Sequence, residues 1–358
     1  MAILKFNNIG IKAVAACVPP DIRYNKDLTY LIPEEEIDKV INSIGIEERR
    51  YADADTCSSD LCEKAAKVIL DSPLLEGSVE SIDALIFVSQ TSDYHQPATA
   101  PLLQHKLGLP DTCLCFDINL ACSGYVYGLA TAYSFAQQPT INNVLLLVGE
   151  TMSKTVSQHD KVSTPLFGDA GTASLIGKGD FGESVFSLHS NGAGSDVIKM
   201  QYGGYRHPSC PEGFIPHTDA EGNIRNGEQF YMNGIDVFNF GMSVEPRDIK
   251  NLLKEVGVTN EELDLLIYHQ ANKFMTDFFS KRLKISSEKT PYSLRKYGNT
   301  SSASIPLTIS SELTGDKYLN RDKTILTGFG AGLSWASVFL NLSKTKIYPV
   351  KEYETKNS

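Results

Sequence analysis

The sequence predicts an α/β fold, on three observations. Three short, almost wholly apolar runs, IDALIFVSQ (82–90), NVLLLVGE (143–150) and LDLLIYHQ (263–270), have the length of strands and no polar face. Strands of that kind are buried on both sides, in a sheet covered by helices. Around them lie helix-patterned stretches, SSDLCEKAAKVIL (58–70), GYVYGLATAYSFAQQ (124–138) and VEPRDIKNLLKEV (244–256), and the alternation of the two kinds is the α/β pattern. The third observation is a repeated event: CFDINLAC (115–122) and LLIYHQAN (265–272) are each a buried strand that ends in a reactive residue and feeds a helix. This hints at an internal duplication. We place the junction near residue 180, giving an N-terminal half, 1–180, that carries Cys122 and a C-terminal half, 181–358, that carries His269 and Asn299.

The stretch 191–229, rich in Gly, Pro and His and without periodicity, reads as a long connection folded over a site. The tail KEYETKNS (351–358) reads as frayed. Gly177, Gly179 and Gly182 spell GxGxxG, but FGESVFSLHS follows in strand alternation, so no helix N-terminus stands there to hold a pyrophosphate. We read a hairpin turn. His207, Cys210 and His217 share one loop but lack a fourth ligand and the spacing of a zinc site. No metal and no cofactor are expected.

A chain of 358 residues can bury a large core. With 43 Asp and Glu against 33 Lys and Arg, its net charge of −10 argues against nucleic acid as a partner. Seven cysteines without a CxxC pair or a disulfide framework suggest a reducing, cytoplasmic setting. Cys113 and Cys115 alternate as strand residues, in the core or at an interface between copies. No apolar run approaches the ~18 residues of a membrane span.

Three polar residues stand at the ends of apolar segments: Cys122, His269 in YHQAN (268–272) and Asn299 in YGNTSSASIP (297–306). The carboxyl edge of a parallel sheet is where such folds build sites. Cys122 falls at a helix start, where the dipole and free N–H groups favour a thiolate. A thiolate can take an acyl group from a thioester, and an imidazole and a carboxamide can both donate to one developing oxyanion. Each residue also has a plain structural reading: a buried core thiol, a satisfied core histidine, a turn-forming asparagine.

The surrounding wording decides between them. DINLACSGY (117–125), LFGDAGTASL (166–175), YHQAN, YGNTSSASIP and GFGAGLSW (328–335), in this order, resemble the β-ketoacyl-acyl-carrier-protein synthase III family from about Lys5 to about Ser343. The resemblance implies a thiolase-like fold, two similar βαβαβαββ halves in a five-layered αβαβα arrangement, as a homodimer. It makes Cys122 the acylated nucleophile, and His269 and Asn299 the pair that stabilises the enolate when a malonyl-type thioester loses carbon dioxide. The backbone N–H groups of Cys122 and Ala331 would form an oxyanion hole, Ala331 standing where the family has glycine. Asn272, Lys161, Gly234, Phe238 and Phe167 fall at substrate-binding positions; Asn272 also reads as a helix N-cap, and Phe167 and Asp169 as structural. Gln96, in YHQPATAP (94–101), falls on a loop that lines the acyl pocket of the partner copy.

Several positions depart from the family. Lys39 stands for a tryptophan and Ser43 for an arginine that hold coenzyme A, Phe274 for another arginine, and Asn239 for a lysine. The expected donor is therefore not simply acetyl coenzyme A, and an acyl group on a carrier protein fits. Such a carrier is acidic, and Lys273, Lys281, Arg282 and Lys284, with Arg295 and Lys296, are the candidate docking residues. The expected activity is decarboxylative condensation to a 3-oxoacyl thioester. The alternatives are acyl transfer to a hydroxyl or amine without decarboxylation, and an inactive partner subunit in a heterodimer.

Overall fold

The computed structural model describes residues 2–75 and 78–354. Among the described residues the sheet has ten strands, of which eight position the site: β1 (Ala2–Val18), β2 (Ala84–Val88), β3 (Leu114–Ile118), β4 (Asn143–Thr151), β5 (Asp169–Ser190), β6 (Leu265–Tyr268), β7 (Thr324–Gly330) and β8 (Ser334–Leu340). The helices that matter for the site are α1 (Glu34–Ile44), α2 (Ser58–Leu70), α3 (Thr99–Lys106), α4 (Gly124–Ala136), α5 (Gly234–Val256), α6 (Lys273–Leu283) and α7 (Ser304–Glu312). The strand order is β6-β7-β8-β5-β4-β2-β3, with β1 antiparallel along β5.

Side-chain alternation along the strands sets the layers. In the first half, Leu85 and Phe87 of β2 and Leu145 and Leu147 of β4 pack with Leu61, Ala65 and Ile69 of α2 and with Leu103 of α3. Their neighbours Ile86, Val88, Leu146 and Val148 turn the other way, onto Val126, Leu129 and Tyr133 of α4 and Ile305 and Ile309 of α7. The same central cluster takes Leu265 and Ile267 of β6, Leu326 of β7 and Val338 of β8. The opposite faces of those strands, Leu266, Tyr268, Ile325 and Phe329, meet Ile249 and Leu253 of α5 and Phe279 of α6. The result is helix, sheet, helix, sheet, helix. Every one of these strands is buried on both faces, which is why the sequence shows apolar runs instead of alternation.

The first half of β5 pairs with β4 and its second half with β8, so one 22-residue strand belongs to both halves. Residue 180 lies within it. The hairpin turn expected at Gly177–Gly182 is absent: β5 continues, and residues 179–182 merely leave the ladder opposite Asn8. Gly182, with φ of +74°, supplies the kink.

Two other expectations need correction. α5 begins at Gly234, ten residues before the expected 244, with Asn233 as N-cap accepting from the Asp236 N–H at 3.2 Å. Pro246 therefore lies inside the helix, where it cannot bond the Met242 carbonyl one turn back. Arg282 Nη1 of α6 takes that carbonyl at 3.1 Å, so the freed acceptor is not left empty. The tail is not wholly loose either, since Lys351 and Glu352 pair with Cys17 and Val18 of β1. Residues 355–358 lie outside the described residues. No helix among the described residues is long and apolar enough to cross a membrane.

Candidate active site

Cys122, His269 and Asn299 meet in one cavity of about 280 Å³, although the first two stand 147 positions apart in the chain. Cys122 lies between the end of β3 and the start of α4, in a turn closed by the Gly124 N–H on the Ala121 carbonyl at 2.7 Å. The end of β7 runs directly against it. A Cβ on Gly330 would stand 2.8 Å from Cys122 Cβ and 3.0 Å from Sγ, and one on Gly328 would stand 2.6 Å from the Cys122 carbonyl oxygen and 3.3 Å from His269 Cβ. Both contacts are too short for any side chain, so glycine is required at both positions. Ala331 follows at the cavity wall and, among the described residues, is not one with positive φ, so its Cβ is tolerated.

Burial dominates the electrostatics. It pushes the Cys122 thiol up to about 12, against a smaller lowering by the hydroxyl of Ser301, 3.7 Å from Sγ. Desolvation outweighs the dipole of the helix start, so the neutral thiol predominates over the thiolate expected from that start alone. Burial also pushes His269 down to about 3. The imidazole is neutral at any working pH. Its Nδ1 lies 2.8 Å from Ser304 Oγ, which also accepts the Gln270 N–H at 3.2 Å. With that N–H already received, the Ser304 hydroxyl proton can go to Nδ1, and in that tautomer Nε2 carries the ring N–H; the ring also bonds the Ser301 backbone.

Asn299 is fixed by its backbone and by its own amide. Its N–H donates to the Leu166 carbonyl at 2.8 Å and its carbonyl accepts from Gly168 at 3.1 Å, a bridge that ties the two halves together beside Phe167. Oδ1 accepts the Ser301 N–H at 2.8 Å, so Oδ1 is spoken for and Nδ2, 3.5 Å from the Ala271 carbonyl, keeps a hydrogen to give.

Of the substrate-binding candidates, Asn272, Phe167, Lys161 and Gly234 line the cavity. Asn272 is also the N-cap of α6, accepting the Met275 N–H at 2.9 Å. Phe238 does not line it; it stacks on Phe274 with ring centroids 5.8 Å apart, and Val237 faces the cavity in its place. Gln96 is exposed on the loop before α3 and does not reach this chain's cavity. Asp169 is structural: it accepts from the Ala52 N–H at 2.7 Å and from the Ser153 N–H at 2.9 Å, and burial pushes it up to about 6.

At the mouth, α1 turns Val40 and Ile44 inward and leaves Lys39 and Ser43 exposed. Lys161 is the one cation lining the cavity among the described residues. The expected basic patch is partly neutralised: Lys273 pairs with Asp277, and Arg295 with Glu47 at 2.8 Å.

Ser301 and Gln90, which sequence reasoning passed over, also line the cavity. Gln90 closes the run IDALIFVSQ, so the rule that picked Cys122 and His269, a polar residue at the end of a buried strand, applied to it as well.

Models of the 3-oxoacyl-[acyl-carrier-protein] synthase III family match residues 116–194, and models of that family's C-terminal part match 253–342. The β-ketoacyl-[acyl-carrier-protein] synthase III of Caldanaerobacter subterraneus is 33% identical over 94% of this chain and 98% of its own. That of Natranaerobius thermophilus is 35% identical over 93% and 99%. The crystal structure of a 3-oxoacyl-(acyl-carrier protein) synthase from Burkholderia xenovorans LB400 superposes with a TM-score of 0.90 at 35% identity, covering 98% of this chain and 99% of that one. The layered architecture is thus the thiolase-like one, and the chain belongs to the β-ketoacyl-[acyl-carrier-protein] synthase III family.

Proposed function

We propose that the protein forms a 3-oxoacyl thioester by decarboxylative condensation. The observation that carries this reading is the pairing, in one cavity, of a part-buried thiol with two neutral hydrogen-bond donors. The Cys122 sulfur attacks an acyl thioester; the donor thiol leaves with the thiol proton, and the acyl group stays on Sγ. A malonyl-type thioester then enters on its carrier. Its C–C bond to the carboxylate breaks, carbon dioxide departs, and the electron pair moves toward the thioester oxygen. His269 Nε2–H and Asn299 Nδ2–H stabilise that oxygen. Neutrality matters here. An imidazolium would hand the carbanion a proton and end the reaction, whereas a ring held down to about 3 donates a hydrogen bond without doing so. The carbanion attacks the acyl carbon, the N–H groups of Cys122 and Ala331 bind the tetrahedral oxyanion, and the C–S bond breaks to return the thiolate.

The donor reading follows from the mouth. Lys161 is the one cation lining the cavity among the described residues, and neither an aromatic platform nor an arginine stands at Lys39 or Ser43. A loose coenzyme A nucleotide loses stacking and charge contacts of about 1 kcal/mol or more each. A carrier protein supplies its own contacts instead. Lys281 and Lys284 at the end of α6, without ion pairs among the described residues, remain candidates for them, whereas Arg282 is engaged by α5. A homodimer is proposed through β3, the last strand of the sheet order, whose residues are part-exposed to exposed.

Intact-mass measurement with acyl thioesters of graded length, each on coenzyme A and on acyl carrier protein, tests both points. The reading requires an adduct that disappears in Cys122→Ala and forms faster from the carrier protein; a carrier-independent rate removes the donor assignment.

A further inference from the structure

A fourth polar side chain reaches the nucleophile. Ser301 Oγ lies 3.7 Å from Cys122 Sγ, on a fully buried residue with φ of +49°. A residue with a Cβ in the left-handed region costs roughly 1 kcal/mol or more and persists where its surroundings hold it. Here they do. The Ser301 N–H is bound by Asn299 Oδ1 at 2.8 Å, and its Oγ accepts from Gln90 Nε2 at 2.8 Å.

Gln90 is held in turn. Its backbone N–H stands 3.2 and 3.3 Å from the two oxygens of Glu150, which also accept from Ser302 Oγ at 2.7 Å, Thr91 Oγ1 at 2.9 Å and Ser89 Oγ at 3.3 Å. Glu150 therefore clamps the end of β2, which carries Gln90, to the turn that carries Ser301 and Ser302. No cation pairs with this buried carboxyl among the described residues. Its worth to the molecule lies in the donors it gathers.

The direction of the chain of hydrogen bonds follows from the donor inventory. An amide nitrogen can only donate, so the Gln90 to Ser301 bond occupies a lone pair of Oγ and leaves the hydroxyl proton free. We propose that Ser301 donates this proton as a hydrogen bond to Cys122 Sγ, favouring the thiolate both before acyl loading and when the condensation expels it, with Gln90 as the residue that positions the hydroxyl. The assignment rests on Cys122 as the nucleophile. It explains why a serine is kept in a strained conformation at this point of the turn. The ionisable groups facing the sulfur are Glu150 from β4, whose negative charge opposes the thiolate, and the neutral His269 beyond β6. Ser301 is the side chain that counters burial.

Alkylation of Cys122 by iodoacetamide, followed at the Cys122 peptide by mass spectrometry from pH 6 to 10, tests this without any substrate. A failed condensation assay therefore leaves the result readable. The rate at pH 8 should fall about tenfold in Ser301→Ala and in Ser301→Gly, with the pH profile moved up by about one unit, and about threefold in Gln90→Met. Ser301→Gly suits the positive φ, so its fold is kept while the hydroxyl is lost. Unchanged profiles in both Ser301 variants overturn the proposal, and a shift in those two without one in Gln90→Met overturns the positioning role of Gln90.

Discussion

Ser304 Oγ, at the first residue of α7, stands 2.8 Å from Nδ1 of His269, whose ring burial keeps neutral near pH 7, and its hydroxyl favours the tautomer with the proton on Nε2. Removing the hydroxyl in Ser304→Ala leaves Nδ1 without a donor and frees the ring to place its proton there, taking it from the cavity side. Carbon dioxide release from malonyl carrier protein should fall about tenfold, a loss of about 1.4 kcal/mol of transition-state stabilisation. Acyl loading of Cys122, followed by intact mass, should change less than threefold.

Gly330 is a packing requirement of Cys122, the proposed nucleophile. In Gly330→Ala the new methyl group meets Cys122 Cβ at 2.8 Å and Sγ at 3.0 Å, so the thiol must move by several tenths of an ångström. A displacement of about 1 Å at a reacting atom costs about 100-fold in rate. We expect the smaller shift here to lower loading about tenfold while circular dichroism stays near the parent spectrum.

Stability should decline as pH rises from about 4.5 to about 8 because of a carboxyl remote from the chemistry. Glu245 of α5 is buried, gives one oxygen to the Thr327 hydroxyl at 2.6 Å and leaves the other without a partner, and burial pushes it up to about 8 from an ordinary 4.5. The folded chain thus keeps a proton that the unfolded chain loses, and stability falls as pH rises through that window, by up to about 1.4 kcal/mol per unit. Glu150, pushed up to about 7, adds to the slope. His269 acts in the opposite sense, costing stability as pH falls from about 6.5 toward 3. Glu245→Gln removes this contribution, and thermal melts should show it roughly 3 °C or more above the parent at pH 8, with a much smaller gain at pH 5.

The mouth predicts the donor. If exposed Lys39 and Ser43 are the reason coenzyme A is held poorly, Lys39→Trp with Ser43→Arg should raise kcat/KM for an acyl coenzyme A about tenfold, through stacking and a charged phosphate contact. The same value for a carrier-bound acyl donor should not rise.

Much of this was legible in the residues. Helix α2 has the predicted limits, Ser58–Leu70, because its apolar spacing is unbroken, and β2, β4 and β6 announce themselves because strands covered on both faces contain only apolar side chains. What local patterns missed was supplied by distant contacts. The first ten residues of α5 look like loop because Gly234, Asn239 and Gly241 interrupt the pattern, and Pro246 mimics a helix start; only the cap at Asn233 and the Arg282 guanidinium on the Met242 carbonyl make one long helix possible. Within the site, His269 was readable from a strand end and from its motif, but Cys122 and Asn299 from their motifs alone: β3 is part-exposed and ends at Ile118, four residues before Cys122, and Asn299 follows the helical turn Leu294–Tyr297 instead of a strand. The charge state of Cys122 was not readable, since a helix start lowers a thiol and burial raises it, and the outcome depends on how closely β7 packs against it.

The central claim is that His269 and Asn299 act on the malonyl thioester after Cys122 has been loaded. Single-turnover mixing of acyl-loaded enzyme with malonyl carrier protein, measuring carbon dioxide and 3-oxoacyl carrier protein together, tests it directly. The account predicts one carbon dioxide per product for the parent chain, and for His269→Ala and Asn299→Ala a loaded Cys122 with carbon dioxide release reduced at least about 100-fold. Undiminished release in either variant, or discharge of the acyl group by the parent chain without carbon dioxide, would contradict it.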